Sequence, residues 1–145
     1  MNMAKDLAKE PPRTPRLRIG GYAILGRMAD KGRAYLAGTA GGYHFDCPVD
    51  NLLFGFKGVK GAQVQPLLKT GASDEQIASW LDTHGEQKTP AEVKTWSDEI
   101  EASRPYENPE HREWFAEECR RLGLNPETTT LFDYLEADDR DTFKK

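Results

Sequence analysis

The chain has 145 residues, of which 37% are hydrophobic and 30% charged, with a formal net charge of −4. That is the size of one domain able to bury its own core, and the composition, a modest core under a well-solvated surface, is not that of a disordered chain. No apolar run approaches the ~18 residues that a membrane-spanning helix needs.

Charge is unevenly spread. Residues 1–33 carry eight basic and three acidic side chains, and residues 34–145 carry twelve and twenty-one. Two readings follow: the basic arm folds onto the acidic body and neutralises it, or it binds an anion. The N-terminal stretch lacks the apolar segment of a secretory signal. The two cysteines, Cys47 and Cys119, are expected as free thiols. The expected location is cytoplasmic.

One domain is expected over 1–145, with a basic, proline-punctuated arm at 1–20. Residues 3–10 are expected to make one or two helical turns. Pro11, Pro12 and Pro15 then hold the chain extended. Gly20-Gly21 reads as a turn. Ile24, Leu25 and Met28 recur at helical spacing, which predicts a helix over 21–31 with Gly32 as its stop. Tyr35-Leu36 and Tyr43-His44-Phe45 flank a glycine-rich loop, which predicts a small β-hairpin over 34–46.

From Cys47 the chain reads as helical. Pro48 suits a first helical position, and Leu52, Leu53 and Phe56 give an apolar side. Val59 to Lys69 carries Pro66, which predicts a helix starting near Gln65 or a kink there, ended by Gly71. Ser73 with Gln76, and Thr89 with Glu92, read as capping boxes that open helices over 73–83 and 90–103. Asn108-Pro109 opens a further helix that Gly123 closes. Residues 130–137 predict a last short helix before an acidic tail of Asp138, Asp139 and Asp141. The fold class is therefore mainly α: an irregular orthogonal bundle of five to seven short helices.

The densest reactive stretch runs from Tyr43 to Asp50. On a strand, His44 and Asp46 share a face. Cys47 falls at a helix N-terminus, where the dipole and free amides favour a thiolate. Cys47 with His44 is thus a candidate nucleophile and base, and the carboxylates of Asp46 and Asp50 oppose that role. The alternative is a packed cysteine, a surface histidine and capping aspartates.

Arg13, Arg16, Arg18, Arg27 and Arg33, together with Asp46, are the candidate ligand-binding residues, because planar guanidinium donors suit carboxylate and phosphate. No Walker or dinucleotide-binding glycine motif accompanies them. Among His44, Asp46, Cys47, His84, His111 and Cys119 no pair has metal-ligand spacing, so neither metal nor cofactor is expected. The helices at 73–83 and 90–103 do not make a DNA reader. Their connection of about seven residues exceeds a helix-turn-helix turn, and Glu92, Asp98, Glu99 and Glu101 face Lys94 alone.

Lys5-Asp6-Leu7, Pro11-Pro12-Arg13, Gly20-Gly21-Tyr22, Asp30 to Ala34 and Asp46-Cys47-Pro48, taken together, are similar to the motifs of an uncharacterised bacterial domain-of-unknown-function family. The resemblance spans most of the chain, with Pro66 departing from the uninterrupted helix expected there. It implies a free-standing bacterial domain and carries over no catalytic residue. The expected function is a non-catalytic binding or interaction module for an anionic small molecule or protein partner. The alternative is a cysteine-dependent enzyme using Cys47 and His44 on an acidic substrate, oriented by Arg13, Arg16 or Arg33.

Overall fold

The computed structural model describes residues 4–144. They are mainly helical: α1 (Leu25–Ala37), α2 (Pro48–Lys57), α3 (Gly61–Lys69), α4 (Asp74–Thr83), α5 (Pro90–Ala102), α6 (Pro109–Leu122) and α7 (Leu131–Phe143), with a 3-10 turn at Pro105–Glu107. Among the described residues no helix is long and apolar enough to cross a membrane. The chain divides into two compact units, Met1–Ser97 and Asp98–Lys145, with the division inside α5.

The caps read from the sequence are in place. Ser73 Oγ accepts from the Gln76 N–H while Gln76 Oε1 accepts from the Ser73 N–H. Thr89 and Glu92 exchange the same pair of bonds, and Asn108 caps α6 through the Glu110 N–H. Each satisfies amides that the first helical turn leaves unpaired.

Four expectations need correction. First, no hairpin forms over 34–46: residues 34–37 are the last turn of α1, and 41–46 run mainly through turns. Ala34 and Leu36 simply continue α1, and Gly38, at φ 76, ends it in the left-handed conformation glycine tolerates. Gly32 is therefore no stop. It is buried within α1, and a Cβ there would lie 2.3 Å from Leu68 Cδ1 and 3.0 Å from the Phe45 ring.

Second, α1 begins at Leu25, not at residue 21. Residues 19–22 close a tight turn through reciprocal bonds between Ile19 and Tyr22, at 3.2 and 3.1 Å. Ile24 follows at φ 74, a costly conformation for a β-branched residue. Complete burial of its side chain offsets that cost.

Third, α3 starts at Gly61, not near Gln65, and includes Pro66. The Lys60 N–H is taken by Gln63 Oε1 at 2.8 Å, which starts the helix early. Pro66 forfeits only the bond to the exposed Ala62. Fourth, α7 runs on to Phe143, so Asp138, Asp139 and Asp141 are helical and not a tail. Of the turns expected over 3–10, residue 3 lies outside the described residues; the Asp6 carbonyl accepts from the Lys9 and Glu10 N–H groups.

Within the first unit α1 packs against α2, α3 and α4. It is buried without a break from Leu25 to Gly32, and that run includes Arg27, Asp30 and Lys31. Three charges inside a central helix require partners, and those partners build the sites below. In the second unit Phe115, Cys119 and Tyr134 form a small core between α6 and α7. The Tyr134 hydroxyl donates to Glu118 at 2.7 Å.

Candidate functional site

The arm is tied down at Arg13. Its N–H donates to Asp30 Oδ2 at 2.8 Å and its Nε to the same carboxylate. Its Nη1 and Nη2 donate to Asp74 Oδ2 and Oδ1 at 2.8 and 3.1 Å. Asp74 stands in the first turn of α4 and also accepts from Arg33 Nη1 at 2.9 Å, while Arg33 Nη2 reaches the Ala72 carbonyl. The hydrogen bonds from Arg13, then those from Arg33, hold the Asp74 carboxyl below its usual range. Arg27 is buried, donates to the Arg13 carbonyl and lies 5.6 Å over the Tyr43 ring. Arg13, Arg27 and Arg33 thus converge on one internal network. Arg16 is half-buried, with its N–H on Thr14 Oγ1 at 3.2 Å.

A second constellation joins α1 to the start of α2. Lys31 Nζ lies 3.0 Å from Cys47 Sγ and 2.9 Å from Asp50 Oδ1. Lys31 is 4% exposed and Asp50 wholly buried. Burial pushes the Asp50 carboxyl up, and the Lys31 charge and the Asp46 and Cys47 amides oppose that shift. Cys47 is half-buried, whereas His44 is exposed. Lys31 is thus a polar group in contact with the Cys47 sulfur. Asp46 sits at φ 62, bonded to Asn51 Nδ2 at 2.9 Å, with its carboxylate over Gly61.

Arg18 lies on a cleft of about 580 Å³. The cleft is lined by Arg18, Gly20, Gly21, Asp82, Lys88, Pro90, Val93 and Lys94, all in the first unit. Two bonds from Ser97 set its wall: Oγ donates to the Gly21 carbonyl at 2.8 Å and accepts from the Ala23 N–H at 3.1 Å. Gly20 is needed here, because a Cβ would lie 2.6 Å from that of Ala78. Tyr22 OH donates to Asp82 at 2.8 Å, and Lys88 pairs with Glu86 at 3.2 Å. The lining carries three cations and one carboxylate, with Val93 and Pro90 as apolar floor. Such a cleft has the volume of a small-molecule site.

Over residues 9–141 the sequence matches the family described as Domain of unknown function (DUF5069). The chain belongs to this family. No curated protein matches it. The DUF5069 description names no activity, so function rests on the geometry.

In this DUF5069 chain sequence reasoning missed Lys31, Asp74, Lys88 and Lys94 as site residues. Lys31 stands 16 positions before Cys47, and Asp74 61 positions after Arg13. Only Lys88 and Lys94, flanking the proline start of α5, left a local sign: two cations around a helix N-terminus. Among the described residues no cluster of His, Cys, Asp and Glu could hold a metal ion.

Proposed function

We propose that this protein is a non-catalytic binding module whose cleft between the Gly20-Gly21 turn and α5 takes an anionic small molecule. The observation that carries this is the convergence of Arg18, Lys88 and Lys94 on one concave surface of about 580 Å³. The apolar floor suits a ligand with a carbon body and a carboxylate or phosphate end. Two free thiols support a reducing, intracellular setting. A cysteine-dependent enzyme with His44 as base draws less support, since His44 is exposed and Lys31 occupies the position at the sulfur.

The test is thermal unfolding in inorganic phosphate, and separately in malonate, each against sodium chloride at equal ionic strength. The midpoint should rise with at least one anion, and the Lys88→Ser/Lys94→Ser double variant should lose that rise. An equal rise in wild type and variant would place the anion elsewhere and end this reading.

A further inference from the structure

We propose that Cys47 and Lys31 form a peroxide-responsive covalent pair, in which hydrogen peroxide oxidises the Cys47 sulfur and the Lys31 amine traps the product as a sulfur–nitrogen bond. Their side chains already meet, with Nζ 3.0 Å from Sγ. Lys31 is almost fully buried on α1, so its ammonium is held at the sulfur and does not sample solvent. A cation placed against a partly exposed sulfur is the surrounding that redox-reactive cysteines share. Cys47 is half-buried, and its chain neighbours Asp46 and Pro48 are exposed, so the pair lies near the surface. Cys119 offers an internal contrast, being wholly buried, with burial pushing its thiol up.

The chemistry balances in two steps. In the first, the Cys47 thiolate attacks one oxygen of hydrogen peroxide, the O–O bond breaks, and sulfenic acid and hydroxide result. Sulfur loses two electrons and peroxide gains them. Sulfenic acids condense with nearby nitrogen nucleophiles, and Lys31 is the nitrogen at hand. In the second step the Lys31 ammonium gives one proton to Asp50, and its nitrogen attacks sulfur. Hydroxide leaves with a second proton as water, and the product is a neutral sulfenamide beside a protonated Asp50. Asp50 suits the acceptor role by position, 2.9 Å from Nζ. Its buried carboxyl, already pushed toward the protonated form, stays comfortably neutral once the ammonium is gone. Trapping by nitrogen would halt further oxidation of the sulfur and tie α1 to the start of α2.

The test uses the full chain, treated with hydrogen peroxide and analysed by intact mass and peptide mapping. The expected product is lighter by two hydrogens, about two mass units, maps to a linked Lys31–Cys47 peptide and reverts with dithiothreitol. Cys47→Ser should give no such product. In Lys31→Arg, which keeps the cation but not the nucleophile, Cys47 should instead gain oxygen and take a dimedone label. If that variant does not fold, the wild-type map still decides. Oxygen added to Cys47 without a link, or no oxidation of Cys47, overturns the proposal. A link that retains an oxygen atom overturns the trapping step as written.

Discussion

Arg13 and Asp74, 61 residues apart, face each other fork to fork, with two parallel bonds at 2.8 and 3.1 Å. Arg33 reaches the same carboxylate from α1. Asp74 therefore bridges two guanidiniums, one of which also pairs with Asp30. Asp74→Asn should cost about 2–3 kcal/mol, because bonds from charged donors are lost and both cations stay where they are. Urea unfolding of wild type and variant measures it; a difference below a few tenths would mean that the fork is ornamental.

The same pair predicts a pH dependence. Asp74 binds its proton less readily folded than unfolded, since Arg13 and Arg33 stabilise the carboxylate. Its contribution is fully present above the unfolded carboxyl value of about 3.9 and is lost as pH falls through the lower folded value. The stability gap between wild type and Asp74→Asn should thus be constant from neutral pH down to about 5 and shrink below about 4. A gap that widened on acidification would contradict this sign.

Two glycines on neighbouring helices should respond oppositely to alanine. At Gly32 the new methyl would meet Leu68 and Phe45, so overpacking should cost about 1–3 kcal/mol. At Gly55, exposed within α2, nothing lies within 4 Å, and alanine should add about 0.5–1 kcal/mol through helix propensity. Melting temperatures of the two single variants suffice, and changes of the same sign would refute the contrast.

Ser97 should matter twice. Ser97→Ala leaves the Gly21 carbonyl and the Ala23 N–H without their partner, at about 1–3 kcal/mol. The turn also forms a wall of the cleft. The variant should therefore lose part of the anion-dependent rise in unfolding midpoint while retaining its helical circular dichroism. Full retention of that rise would separate the turn from binding.

In the second unit Arg121 of α6 pairs with Glu118 of the same helix at 3.0 Å and reaches Asp138 and Asp141 of α7 at 2.8 and 3.0 Å. Arg121→Gln removes the cation from among three carboxylates. The melting temperature should fall, and the fall should diminish in molar salt, where exposed charges are screened. A loss indifferent to salt would point to packing instead.

Local chemistry was legible where it is local. Ser73, Thr89 and Asn108 announced their helix starts because capping acts within four residues. Gly32 misled because a glycine required for close approach to Leu68 reads, in sequence, like one required for a helix end. That single misreading shortened α1 and freed Tyr35 and Leu36 for a hairpin that does not exist. The site was harder still. The run from Tyr43 to Asp50 was visible as a dense reactive stretch, but the group against its sulfur comes from the preceding helix. The arginines were visible as cations, and nothing near them in sequence announced that Asp74 would receive two of them. Their partners are set by tertiary packing, which a linear pattern does not encode.

The bond between Ser97 and Ala23 spans 74 residues and uses the last residue of the first unit. A ribosome adding about 5–20 residues per second takes roughly 4–15 s to deliver that serine after the alanine. During this interval the nascent Gly20-Gly21 turn has no clasp, and Arg13 waits nearly as long for Asp74. Vectorial synthesis thus delays the clasp on this turn until the unit's final residue emerges, after the Arg13–Asp74 fork has become available.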